Sequence, residues 1–207
     1  TKPTKVSPAT SAAVSPEARP VKKGDHVFLV DGSGYIFRAY HALPPLTRKS
    51  DGLQVNAVLG FWNMLWKLLP EMPPDNRPTN LAVVFDKSEK TFRTDMYTEY
   101  KANRDEAPQD FGLQMKYIMT VLEGLRIPVI QKQGFEADDL IATVAKKAQA
   151  EGFEVIVVTA DKDLFQLVNE RTKVLRLDPD KEIEFDREAV KAMMGVYPEL
   201  IGVYLAI

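Results

Sequence analysis

Cysteine is absent from all 207 residues. Its absence excludes a disulfide framework, a thiolate metal site and a cysteine nucleophile, and it suits a reducing cytosol. Histidine occurs only at His26 and His41. Neither falls within the acidic motifs described below; His26 reads as a strand-opening residue and His41 as a loop residue, not as metal ligands. No stretch approaches the roughly 18 consecutive apolar residues of a membrane-spanning helix. An excess of one charge is missing too: 27 Lys and Arg face 29 Asp and Glu, for a net charge of −2. Affinity for a polyanion must therefore come from local patches. The remaining composition, 45% hydrophobic and 27% charged, is that of an ordinary globular chain long enough for one large domain.

Residues 1–23 run through Pro, Ser, Thr, Ala and Lys without apolar periodicity, and a disordered leader is expected there. The segment has no apolar core for secretion and only one arginine, Arg19, for an organelle signal. Residues 24–207 are expected to form one domain.

Three short apolar runs end in aspartate: Val27–Val30 into Asp31, Leu81–Phe85 into Asp86, and Val155–Ala160 into Asp161. Continuous Val- and Ile-rich runs of this length read as strands buried on both faces of a parallel sheet. Helical periodicity separates them, at 53–69 (Val55, Val58, Leu59, Trp62, Leu65, Trp66, Leu69), 113–125 and 140–148. Gly32-Ser33-Gly34 reads as a turn, and Pro70, Pro73 and Pro74 as a helix stop. A short strand is expected at 128–130, a short helix at 164–168 and a hairpin from 173–177 and 182–185. Asp186 is placed to cap a helix at 187–194 that Gly195 closes, and Pro198 opens a last helix. The alternation predicts a three-layer α/β fold: a mostly parallel sheet with helices on both faces.

In open α/β sheets ligands bind outside the carboxyl ends of the strands, so Asp31, Asp86 and Asp161 should share one edge. Glu136, Asp138 and Asp139, in Gly-Phe-Glu-Ala-Asp-Asp, and Asp163, in Thr-Ala-Asp-Lys-Asp, join them. Singly, each acid has an ordinary role as a helix cap, a first-turn residue or a turn residue. Together they repel: two unit charges 4 Å apart cost about 4 kcal/mol at an effective dielectric of 20. All-oxygen donors call for a hard cation, Mg²⁺ or Mn²⁺. A carboxylate cage around such ions, without a catalytic His or Cys, suits phosphate-ester hydrolysis.

Between Asp86 and the next helix lie Lys87, Lys90, Arg93, Lys101 and Arg104, interleaved with Phe92, Tyr97 and Tyr100. On a continuous helix, positions 90, 93, 97, 100, 101 and 104 share one face. Cations there would meet phosphates and rings would stack on bases. Glu89, Asp95 and Glu99 dilute the charge, so a solvated face is the competing reading. The segment has no deep apolar stripe and is expected to be mobile without substrate.

In order and spacing, Phe-Leu-Val-Asp-Gly at 28–32, Val-Phe-Asp at 84–86 with Thr-Phe-Arg at 91–93, Tyr-Lys-Ala-Asn-Arg at 100–104, Phe-Glu-Ala-Asp-Asp at 135–139 and Thr-Ala-Asp-Lys-Asp-Leu-Phe-Gln-Leu at 159–167 resemble a known family. It is the flap-endonuclease family with its PIN-like core, which includes the 5′-nuclease domain at the N-terminus of bacterial DNA polymerase I. The resemblance runs from about residue 25 to the end. It implies a nuclease acting on DNA 5′ ends, flaps and nicks and on RNA primers, with two divalent ions and a basic helical arch. Asp31, Asp86, Glu136 and Asp138 would serve the first ion. Asp161 and Asp163 would serve the second, with Asp139 nearby. Lys101 and Arg104 would steer the scissile phosphate, with Tyr100, Arg93, Lys90 and Tyr97 as further DNA contacts. A bacterial, cytoplasmic monomer, normally joined to a polymerase module, is implied as well. In the family, further aspartates and a duplex-gripping element follow the position of Ile207; a C-terminally truncated domain with an incomplete second site is expected.

Three other readings compete. A degenerate module would bind branched DNA without cutting it. A haloacid-dehalogenase-type phosphatase wants a second Asp where Ser33 stands, and a receiver domain leaves Glu136–Asp139 and the basic segment unexplained.

Overall fold

The computed structural model describes residues 22, 25–73, 76–87, 90–97, 99–101, 108, 110–178 and 180–206. Apart from Lys22, the expected leader lies outside the described residues.

Six strands form one sheet: β1 (His26–Asp31), β2 (Asn80–Val84), β3 (Val129–Ile130), β4 (Glu154–Val158), β5 (Thr172–Leu177) and β6 (Glu182–Phe185). Their order is β3-β2-β1-β4-β5-β6. All neighbours are parallel except β5 and β6, the hairpin, which are antiparallel. The central β1 is flanked by β2 and β4, so the three aspartate-ended strands are adjacent. The strand order reverses between β1 and β4, the kind of place where α/β sheets bind ligands.

The period-2 alternation of the strands feeds two cores. Phe28, Val30, Val83 and Phe85 pack on one face against Ile36, Phe61, Leu65, Leu68, Ile118 and Leu122. These come from α1 (Gly32–Ala42), α2 (Asn56–Trp66) with its continuation, and α4 (Phe111–Gly124). A short α3 (Phe92–Met96) precedes α4. Leu29, Val84, Val155, Val157 and Val174 face the other way, onto Leu140, Ile141 and Ala145 of α5 (Ala137–Ala150), Val190 of α6 (Arg187–Met194) and Ile201 of α7 (Ile201–Leu205). The expected three layers are present. Asp186 caps α6 through Ala189 N–H at 2.8 Å, and Gly195 closes it with φ +78°.

Local structure departs from the sequence expectation in three places. Gly32-Ser33-Gly34 is not a free turn but the first turn of α1, and His41 lies in the last turn of that helix, not in a loop. Two glycines disguised the helix, while Asp31 caps it by accepting from Gly34 N–H at 2.9 Å. Pro70 does not stop α2 outright: the helix widens into a π turn over Lys67–Glu71, the kind of adjustment that carries a chain past a missing N–H. The basic segment is not one continuous helix in its described part. α3 ends at Met96, its C-cap Tyr97 is extended (φ −144°, ψ 104°), and Lys101 is left-handed at φ +59°. Positions 90, 93, 97, 100 and 101 therefore do not share a helix face; residues 102–107 lie outside the described residues.

Gly32 lets α1 start directly beneath the neighbouring strand. A Cβ there would sit 2.3 Å from the Phe85 ring, one residue before Asp86. Gly32→Ala is predicted to destabilise the fold by about 1–3 kcal/mol through overpacking. Urea denaturation checks this; an unchanged midpoint would show that Phe85 yields freely.

Candidate active site

Strand register sets the frame. Asp31 is opposite Val84 on β2, and Val30 is opposite Val158 on β4. Asp86 and Asp161 lie just beyond those pairs, so all three acids emerge at the carboxyl edge. Asp31 forms the floor, 6% exposed. Its Oδ1 accepts from Gly34 N–H at 2.9 Å, and its Oδ2 accepts from the Thr159 hydroxyl at 2.9 Å. Asp86, on the rim, accepts from Ala137 N–H at 2.7 Å and so ties the N-terminus of α5 to the end of β2. Its own N–H donates to Ser33 Oγ at 3.0 Å.

The start of α5 supplies the next acids. Glu136 is the N-cap, and Asp139 accepts from Glu136 N–H at 3.1 Å, closing a capping box. Asp138, between them, faces the strand ends. Burial, then the charges of Asp31, Asp161, Asp86 and Glu136, push its carboxyl up to about 7. Burial also raises Asp31, against the hydrogen bonds of Gly34 and Thr159, with Asp86 and Asp161 adding to the rise. Asp163 follows Asp161 on the exposed side, its N–H donating to Asp161 Oδ1 at 2.9 Å. Burial and the Asp161 charge raise Asp163 too. Asp161, Lys162 and Asp163 line an open cleft of about 390 Å³ with Met193, Met194, Tyr204 and Leu205.

The basic segment lies against this cluster. Lys101 Nζ donates to Glu136 Oε1 at 2.8 Å and Tyr100 OH to Glu136 Oε2 at 3.3 Å. Arg93 donates two bonds to Asp139, at 2.7 and 2.8 Å, and lies 3.7 Å from Glu136. The Arg93 bonds hold the Asp139 carboxyl below its ordinary range.

The expected site residues thus fall into groups. Asp31, Asp86, Glu136, Asp138 and Asp161 form one interacting set, with Asp163 beside Asp161. Asp139 belongs to the set in sequence but is committed to Arg93. Tyr97 points to Glu99, donating at 2.8 Å, not to the cluster. Lys90 is exposed, and Arg104 lies outside the described residues. The expected cage is not closed: among the described residues, no group of three or more acidic or histidine side chains is drawn together enough to hold an ion. Three of the carboxylates are engaged elsewhere: Glu136 by Lys101, Asp86 by Ala137 N–H and Asp139 by Arg93. Their chemistry nevertheless fits a hard cation, since carboxylate oxygens surround the half-buried Asp138, which desolvation and then its like-charged neighbours raise. Sequence reasoning missed the Ser33 and Thr159 hydroxyls. Their only signal was position, two residues after Asp31 and two before Asp161.

Comparison with known proteins gives a consistent picture. The family described as "5'-3' exonuclease, N-terminal resolvase-like domain" matches residues 26–195. A DNA polymerase I of Rhizobium leguminosarum is 52% identical over 182 residues, covering 86% of this chain and 18% of that protein. A 5′-3′ exonuclease of Aquifex aeolicus is 40% identical over 181 residues, covering 87% of this chain and 60% of that one. This chain thus spans less than two thirds of either relative. Among solved structures, the D15 protein of T5, co-crystallised with metal ions, is similar with a TM-score of 0.62. The match has 19% identity and covers 83% of this chain and 61% of the other, a likeness of fold.

A raised acid has a definite signature in stability. Between the ordinary 3.8 and about 7, the folded state holds the Asp138 proton more tightly than the unfolded state does. Its contribution is therefore complete at low pH and lost as pH rises through about 7. In EDTA, Asp138→Asn is predicted to melt with the wild type near pH 4. At pH 8 it should be more stable by about 1–2 kcal/mol, after allowing for solvent screening. Coincident melts at pH 8 would contradict the assignment.

Proposed function

The chain belongs to the 5′-3′ exonuclease family defined by that N-terminal resolvase-like domain, and on that premise we propose that it hydrolyses DNA phosphodiesters as a structure-specific 5′-nuclease. Its substrates are 5′ ends, 5′ flaps and nicks, and RNA-primed DNA. Residues 24–207 act as one nuclease unit, a cytoplasmic monomer normally joined to a polymerase module as in a DNA polymerase I.

One observation carries the reading. Carboxylates from three adjacent strand ends and the start of α5 share one edge at the switch point of the sheet, with Lys101, Arg93 and Tyr100 laid against the two on the α5 side. Phosphodiester hydrolysis needs both halves: a centre for hard cations, and positive side chains for the backbone it attacks. Asp31, Asp86, Glu136 and Asp138 would hold one Mg²⁺ or Mn²⁺; Asp161 and Asp163 would serve a second, with Asp139 beside them. Bound there, such ions supply hydroxide from water at neutral pH and neutralise charge at the attacked phosphorus.

The remaining steps belong to the side chains. Lys101 exchanges Glu136 for a non-bridging phosphate oxygen and holds it in the transition state. Arg93 is a further phosphate contact, and Arg104 is a second steering cation. Tyr100 leaves Glu136 to stack on a base, a contact that tolerates any sequence. Lys90 and Tyr97 extend the contact along the strand.

Two measurements test this. A labelled 5′-flap DNA should be cut in Mg²⁺ or Mn²⁺ and left whole in EDTA, by this chain or by one continued beyond residue 207 as in its relatives. No cutting by either chain in either metal would reject the reading. Lys101→Ala should lower kcat by about 100-fold while KM changes less than about threefold, as for a contact made mainly in the transition state. Equal losses in kcat and affinity would make Lys101 a ground-state anchor only.

A further inference from the structure

We propose that two hydroxyls, Thr159 and Ser33, are positioning residues that set the spacing of the three strand-end aspartates. The inference rests on the cation-binding reading above.

The sheet alone does not fix this spacing. The β1–β2 ladder ends at Asp31 opposite Val84, and the β1–β4 ladder ends at Val30 opposite Val158. Asp86 and Asp161 lie past the last paired residues, beyond the reach of either ladder; among the described residues, backbone N–H groups reach only their carboxylates, from Ala137 and Asp163. Thr159, 1% exposed, closes one side. Its Oγ1 accepts the Asp161 N–H at 3.0 Å and donates to Asp31 Oδ2 at 2.9 Å. A hydroxyl has one proton, and an amide can only donate, so the proton must point at Asp31. One side chain thus fixes the orientation of an acid on β1 and the backbone of an acid after β4. Ser33 closes the other side: its Oγ accepts the Asp86 N–H at 3.0 Å.

The result is a row of three acids with Asp31 in the middle: the Thr159 hydroxyl bridges Asp31 and Asp161, and Ser33, two residues after Asp31 in the chain, ties the Asp86 backbone to the start of α1. Asp31 takes one hydrogen bond on each oxygen, from Gly34 and from Thr159. Each oxygen keeps a second lone pair for a cation. The carboxylate is thereby aimed without being used up, which is what partners behind a metal ligand do.

The test uses Mn²⁺ alone, without DNA, and reads free Mn²⁺ by electron paramagnetic resonance during titration of the protein. Thr159→Val keeps the shape and loses the hydroxyl; it should weaken Mn²⁺ binding by about 10–100-fold. Thr159→Ser restores the hydroxyl and should bind within about threefold of wild type. Ser33→Ala, at a half-exposed position, should weaken binding by about threefold or more, and it keeps the test open if Thr159→Val does not fold. A purely structural role would lower the melting temperature in EDTA and leave Mn²⁺ affinity unchanged. Wild-type affinity in Thr159→Val, or in Ser33→Ala if the former does not fold, would overturn the proposal, as would equal losses in Thr159→Ser and Thr159→Val. A wild-type chain that bound no Mn²⁺ would remove the cation reading and this proposal together. Binding by the wild type with unchanged variants would remove only the proposal.

Discussion

Like charges held at one edge of a sheet repel, and much of the local structure around the site answers that repulsion. Asp31, Asp86 and Asp161 are brought together because β1 lies between β2 and β4, and that order is fixed by cores on both faces. The aliphatic packing of Leu29, Val30, Val84 and Val157, all fully buried, opposes the relaxation the charges would otherwise drive. The fold thus supplies rigidity and the cluster stores unfavourable charge, most visibly at Asp138. That stored charge is what the proposed cation would relieve.

Two kinds of cation answer the cluster. Side-chain cations are already there: Lys101 lies on Glu136 and Arg93 on Asp139. On the proposed reading they are the groups that would meet a phosphate backbone, and substrate would compete with the protein's own carboxylates for them. Metal ions are the other kind, and ions that took Glu136 would release Lys101. On the proposed reading, metal and nucleic acid would be linked through one side chain.

Most of this was legible in the sequence where it depended on local pattern. Val- and Ile-rich runs ending in Asp located three strands, and Leu140, Ile141, Val144 and Ala145 located α5. Gly195 located the end of α6. Local pattern failed where local chemistry was ambiguous. Gly32 and Gly34 hid α1, because glycine weakens a helix on its own, whereas here it admits Phe85 and the Asp31 carboxylate. The shared face expected of Lys90 to Arg104 did not appear in the described part, because Tyr97 and Lys101 leave helical geometry and no apolar stripe enforces it. Contacts between distant residues were beyond reach. The Thr159–Asp31 bond spans 128 positions and the Ser33–Asp86 bond 53, and nothing in either neighbourhood announces them.

The proposed function depends on the carboxylate cluster binding a cation. Thermal melting of this chain at pH 8 and at pH 5, each with EDTA or with millimolar Mn²⁺, tests it most directly. Mn²⁺ should raise the melting temperature at pH 8, since a ligand of the folded state stabilises it. The gain should shrink at pH 5, where Asp138 carries its proton. Identical melting with and without Mn²⁺ at pH 8 would contradict it.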